Sequence, residues 1–153
     1  MKNKILIIVI LITFISLAIL MVNKLKTQKI SQTKIVLGRK TLRVEIAKTD
    51  EEKERGLSGR KSLCEDCGML FIFDKPGVYP FWMRKMYFDI DIIWIRDNKV
   101  AEIVYLAKAP DSSEFEAPKT LYQSKTPIDK VLEVNAGWVE KNGIKIGDEL
   151  IFK

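Results

Sequence analysis

IDIIWIRDNKVAEIVYLA, residues 90–107, decides the fold. Ile90 to Ile95 and Val100 to Ala107 are apolar-rich runs of strand length. Asp97-Asn98-Lys99 between them carries turn chemistry, so the stretch is a β-hairpin. Working outward, further short strands are expected at Lys34 to Leu37, Leu42 to Ala47, Gly68 to Phe73, Val78 to Met83, Thr120 to Gln123, Lys130 to Val134 and Glu149 to Phe152. Pro80 marks the fourth of these as an edge strand or a bulge. Two short helices interrupt them. Thr49-Asp50-Glu51-Glu52 reads as a capping box that opens a helix reaching about Gly56. A second helix is expected over Ala136 to Asn142, with Asn135 as N-cap and Gly143 as its left-handed stop. The expectation is a mainly β chain with a minor helical part, folded as a compact β-sandwich or small barrel.

The chain has 153 residues, of which 47% are hydrophobic, and its net charge is +6. Neither figure describes the β domain. Residues 5–22, ILIIVILITFISLAILMV, are apolar at sixteen of eighteen positions, Thr13 and Ser16 excepted. As a helix the run would extend about 27 Å, the thickness of a bilayer's hydrocarbon core. A cleaved signal peptide is the competing reading. The apolar run continues through Ile19-Leu20-Met21-Val22, past the small residues Ser16 and Ala18, which favours an uncleaved transmembrane signal anchor. Eight Lys/Arg and no acid precede Thr41, leaving 18 Lys/Arg against all 20 acids, a net of −2, in the rest. The organisation is therefore an N-tail (1–4), an anchor (5–22), a basic juxtamembrane linker with the first strand (23–40) and a globular β domain (41–153). Lys24, Lys26 and Lys29 suit anionic lipid headgroups, or simply a solvated tether. Counting positive charges puts the domain in the cytoplasm. The short cationic N-tail and the ease with which large domains translocate argue for the outside. No basic cluster in the domain interleaves with exposed aromatics, so nucleic acid is not an expected partner.

The absence of histidine removes Ser-His and Cys-His nucleophile pairs, imidazole bases and His-ligated metals. No metal, cofactor or catalytic residue is assigned. Cys64-Glu65-Asp66-Cys67 fits a structural disulfide, free thiols or a redox pair. Two carboxylates between the sulfurs disfavour a reactive thiolate and leave the disulfide as the leading alternative. Asp89 and Asp91 alternate with apolar residues and project from one strand face, about 6.5 Å apart. A polar sheet face paired with Arg84 or Arg96 explains them better than a glycosidase pair or a calcium site does.

Several separated motifs, in order, resemble the domain of unknown function 192 family. They are Arg55-Gly56-Leu57, Arg60, Leu63, Gly68-Met69-Leu70-Phe71-Ile72-Phe73, Phe81-Trp82-Met83, Asp91-Ile92, Val131-Leu132-Glu133-Val134-Asn135-Ala136-Gly137-Trp138 and Gly143-Ile144-Lys145-Ile146-Gly147-Asp148. The resemblance covers about residues 41–153. It implies a compact β fold with short helices and a domain that is often exported or membrane-anchored, and it implies no reaction. Arg84-Lys85-Met86 and Asp89 stand where the family has Lys-Asn-Thr and Pro. Together these readings give an extracytoplasmic, membrane-anchored domain that binds a small ligand or an envelope protein. Its candidate ligand residues are Arg60 for an anion, Trp82 and Trp138 for stacking, and Asp91 and Asn135 for polar groups. Arg55, which could bind a carboxylate as Arg60 could, can as easily pair with Glu51 or Glu52 on its own helix; the tryptophans are more often core, and Glu133 reads as a surface strand residue unless it pairs with an arginine. The competing classes are a carboxylate-dependent hydrolase of envelope glycan, acting through Asp89, Asp91 or Glu133, and a structural or assembly subunit of a membrane complex.

Overall fold

A computed structural model describes residues 10–17 and 30–153. Residues 10–17 are helical. Among the described residues no helix is long and apolar enough to cross a membrane. The anchor expected over residues 5–22 extends outside the described residues at both ends, and Lys24, Lys26 and Lys29 lie outside them as well.

The hairpin at residues 90–107 forms as β4 (Ile90–Arg96) and β5 (Lys99–Ala107). Around it lie β1 (Ser31–Leu37), β2 (Lys40–Ala47), β3 (Cys67–Gly77), β6 (Ile128–Asn135) and β7 (Leu150–Phe152), with helices α1 (Asp50–Arg55) and α2 (Trp138–Lys141). All seven strands join one sheet in the order β5-β4-β6-β3-β2-β1-β7. Its two edges meet at one end, where Val100 N donates to Asp148 O, Gly147 N to Val100 O and Leu150 N to Asn98 O. The sheet is thus a half-barrel and not a pair of stacked sheets. Its inner face wraps one apolar cluster that includes Ile35, Val44, Leu70, Ile93 and Leu132, with Trp138 and Val139 of α2 as a plug. The outer face carries a second cluster built on Met69, Phe71, Ile92, Trp94 and Val131.

What covers the outer face follows from one topological fact. β2 and β3 pair in parallel, so the chain must cross over between them. Residues 48–66 make that crossover and carry α1, Leu57, Arg60 and Leu63 across the outer face. The capping box forms as expected, with Glu52 N donating to Thr49 Oγ1 and Thr49 N donating back to Glu52 Oε2. Gly56 ends the helix at φ +48, a left-handed conformation that favours glycine.

Three expectations are corrected. Val78 to Met83 and Thr120 to Gln123 meet only in a single bridge, Phe81 with Tyr122; Pro80 has no N–H to extend it. β3 does not stop at Phe73 but continues to Gly77, its register shifting against β6 between Ile72 and Gly77, so a bulge absorbs the turn-like residues. Helix α2 begins at Trp138 behind a left-handed Gly137 (φ +80). Asn135 is the last residue of β6 and is not the N-cap.

β3 and β6 approach each other closely at Gly68. A Cβ there would stand 2.8 Å from the Glu133 carbonyl oxygen and 3.0 Å from Leu132 Cδ1. Both are in the sheet interior, so neither strand can withdraw without breaking its other ladder. Gly68→Ala is expected to lower the unfolding free energy of the full chain by about 2 kcal/mol, in the range for overpacking. Denaturant unfolding followed by tryptophan fluorescence measures it, and an unchanged midpoint would show that the strands can part at no cost.

Candidate functional site

The residues singled out from sequence do not converge. Asp91 is fully buried on the inner face. Its Oδ1 accepts from Leu106 N at 3.0 Å and its Oδ2 from Val139 N at 3.0 Å. Leu106 sits at φ +54, beside a register shift between β4 and β5. Asp91 therefore receives an amide that the bulge leaves without a ladder partner, and also an amide from the first turn of α2. It has no oxygen free for a ligand, and neither Arg84 nor Arg96 is its partner. Asp89 lies before β4 and accepts from Ala109 N at 2.8 Å and Lys108 Nζ at 2.7 Å. The two aspartates are separate structural ties, not a catalytic pair.

Arg60 is likewise engaged. Its guanidinium forks onto Glu45 at 2.7 and 2.6 Å, a bidentate pair that uses the geometry an anionic ligand would need. The fork holds the Glu45 carboxyl below the usual carboxylate range, against the opposing cost of burial, and it raises Arg60. Asn135 donates to the carbonyls of Leu63 and Cys64 at 3.2 and 2.9 Å, docking the end of the crossover. Trp138 is buried in the inner cluster, with its Nε1 on Asp66 Oδ1 at 3.1 Å. Cys64 and Cys67 are joined as a disulfide, and one Arg43 nitrogen lies 3.5 Å from each sulfur. Among the described residues no cluster of carboxylates and thiols forms a metal site.

Of the five candidates, Trp82 alone faces an opening. It is 38% exposed and lines a cleft of about 230 Å³ on the outer face. One wall is the crossover, from Lys53 to Ser58. The other is the segment from Tyr79 to Trp82, and Phe71 and Phe73 come up from β3. The rings interlock: Phe73 stacks on Tyr79 with centroids 3.7 Å apart, and Phe81 sits edge-on to Phe71 at 4.9 Å. Ser58 Oγ donates to Arg84 O and Gly59 N to Lys85 O, both at 2.8 Å. These bonds fix the two walls to each other.

Glu133 lines the same cleft; the sequence offers it only as one of the hydrolase's alternative carboxylates and not among the five ligand candidates. It is 5% exposed, which corrects the surface-strand reading. The register places it opposite Met69 of β3 and Ile92 of β4, with Glu45 opposite Met69 on the far side. Opposed residues share a face, so Glu45 and Glu133 stand in one row, about 10 Å apart at Cα. Among the described residues no hydrogen bond holds the Glu133 carboxyl. Burial raises it from 4.5 to about 8, opposed only by the nearby Arg60 charge. The signal in the sequence was Val131. An apolar residue two positions before Glu133 shows that this face of β6 is covered, so a carboxylate on it has to be accounted for.

Residues 32–152 match the family described as DUF192, uncharacterized ACR, COG1430. A Novosphingobium aromaticivorans protein of unknown function is 30% identical, with a TM-score of 0.73 over 82% of this chain and 88% of that one. A Sinorhizobium meliloti protein, described as a candidate transcription regulator, is 29% identical, with a TM-score of 0.71 over 80% of this chain and 95% of that one. A search of curated proteins finds no significant match.

The raised carboxyl has a consequence for stability. Between about pH 4.5 and about 8 the folded chain keeps a proton on Glu133 that the unfolded chain has lost. Stability from this group is complete below that window and falls as pH rises through it, by up to about 1.4 kcal/mol per pH unit. Glu133→Gln is expected to flatten that slope and to be the more stable protein above about pH 8. Urea unfolding midpoints at a series of pH values measure this. Parallel curves for the two proteins would show an ordinary carboxyl.

Proposed function

Because this chain belongs to the domain of unknown function 192 family (DUF192), which carries no assigned reaction, we propose its role from its own cleft: it binds a small ligand against Glu133, from a domain anchored to the membrane and held outside the cytoplasm. One observation carries the reading. A carboxyl without a hydrogen-bond partner is buried at the floor of an aromatic-walled cleft. A group like this normally costs stability. The other sheet carboxylates and amides named above are satisfied, as Asp91, Asn135 and the Arg60–Glu45 pair are; the further buried groups without a partner among the described residues, Arg84 Nε and Trp94 Nε1, are donors and not carboxylates. Glu133 is the contrast, and a ligand supplies the missing partner. The anchor is supported by sixteen apolar residues in eighteen. The outward orientation is supported by the Cys64–Cys67 bond, which persists in oxidising compartments.

The glycan-hydrolase reading retains one point in its favour. A carboxyl that stays protonated near neutral pH is what a general acid requires. Its second carboxylate is lacking: Glu45 is clamped by Arg60 and does not line the cleft. The acids at the cleft rim, Asp50 and Glu54, come from the exposed helix α1. The regulator description of the Sinorhizobium relative is not carried over, since this domain has a net charge of −2 and no basic stripe.

One experiment tests both site and placement. Intact cells are treated with a membrane-impermeant amine reagent, and the full chain is then purified from membranes and analysed by native mass spectrometry. The exposed Lys119 is expected to carry the label, and a small molecule is expected on the wild type but not on Trp82→Ala or Glu133→Gln. Label appearing only after permeabilisation would reverse the orientation. A bound molecule that survives both substitutions would remove the cleft as its site, and co-purifying proteins alone would favour an assembly role.

A further inference from the structure

We propose that the cleft takes a small organic monocation, an ammonium group joined to an aromatic or short apolar body, with Glu133 as its counter-ion. The inference rests on the cleft being a ligand site and adds the charge and shape of the ligand.

Charge comes first. The groups that face Glu133 can be counted element by element. From β3 and β4 it meets Met69 and Ile92, which carry no charge. From β2, Glu45 is committed to Arg60, and that pair has no net charge. From the crossover, Lys53 and Arg55 line the cleft together with Asp50 and Glu54, two cations against two acids. From the segment after Trp82, Arg84 adds a third cation, 4.0 Å from Glu54 and outside the cleft lining. The three cations equal Asp50, Glu54 and an ionised Glu133 in number, but among the described residues none of them hydrogen-bonds the Glu133 carboxyl, which is left without a direct partner at the floor. A ligand ammonium supplies that partner. An anion would meet a carboxyl that is at best neutral, with the Arg60 fork already taken.

The walls point the same way. Aromatic faces attract cations, most strongly where water is excluded. This wall already hosts an ammonium: Lys53 Nζ lies 5.0 Å from the Phe73 ring centroid and 3.7 Å from Asp50. The chain's own lysine thus shows at the mouth the pairing of ammonium, ring and carboxylate that a ligand would repeat at the floor. The volume, about 230 Å³, lies below the roughly 300–1,000 Å³ of drug-sized sites, which limits the occupant to about one ring and a short stem.

Binding then moves a proton. The protonated Glu133 carboxyl gives its proton to solvent as the ammonium arrives, and the resulting carboxylate pairs with the ligand's N–H groups. No covalent bond to the ligand forms or breaks.

Isothermal titration of the full chain in detergent micelles tests the proposal with three probes of one shape: benzylammonium, benzyl alcohol and benzoate. Each is run at about pH 7 in two buffers of different ionisation enthalpy. Benzylammonium is expected to bind about tenfold or more tighter than either other probe and to release close to one proton. Glu133→Gln, its fold checked by its unfolding midpoint, is expected to lose that preference and the proton release together. Benzyl alcohol or benzoate binding as tightly as benzylammonium would overturn the monocation while leaving the cleft as a ligand site. Benzylammonium binding undiminished in Glu133→Gln would overturn the counter-ion. If all three probes are inert at millimolar concentration, the cleft fails as a site and the inference fails with it.

Discussion

Gly68 and the carbonyl of Glu133 stand closer than any side chain would allow, and the placement of the outer-face groups follows from that approach. With no Cβ at Gly68, β3 lies tight against β6 and pairs Met69 with Glu133. That register sets a row across the sheet, Glu45–Met69–Glu133–Ile92, all on the outer face. A slip of one residue would exchange the faces of β6. Leu132 and Val134 would then point outward, and Glu133 would enter the inner cluster, where Ile93 and Val44 leave it no solvent. The alternation that fills both faces of β6 thus penalises every register but the observed one.

The domain deals with the carboxylates of its sheet in three ways, and the differences among them locate the site. Asp91 is satisfied by two backbone amides, one from a bulge and one from a helix start, so it fastens β4, β5 and α2 together. Glu45 and Arg60 satisfy each other through a bidentate fork and pin the crossover to β2. Both arrangements have hydrogen-bond partners enough to be explained by folding alone. Glu133 has only a distant attraction to Arg60 and an aromatic cleft in front of it. The disposition of hydrogen bonds, more than the type of residue, separates a structural carboxylate from one that awaits a partner.

Much of the fold was legible in the sequence because its signals are local. The hairpin of β4 and β5, the Thr49 capping box and the stop at Gly143 depend on residues within a few positions of each other, and all three form. The parallel pairing of β2 with β3 depends on residues about 24 apart and leaves no local trace. The crossover that walls the cleft was therefore not visible. The candidate residues suffered from the same limit. Asp91, Asn135 and Trp138 are distinctive in sequence because each makes a demanding structural contact, and such contacts mark fold as strongly as they mark function. Glu133 looked ordinary because alternation with Leu132 and Val134 normally means a solvated face. In a central strand covered on both sides, the same alternation places a carboxylate in the interior.

The central claim is that Glu133 is buried, unpaired and protonated at neutral pH. Carbon-13 NMR of the glutamate side-chain carboxyls, titrated from about pH 4 to about pH 10 and assigned with Glu133→Gln, measures it directly. The account requires one carboxyl resonance with a midpoint near 8, absent from the variant. A Glu133 resonance that titrates with the other glutamates, near 4.5, would contradict it.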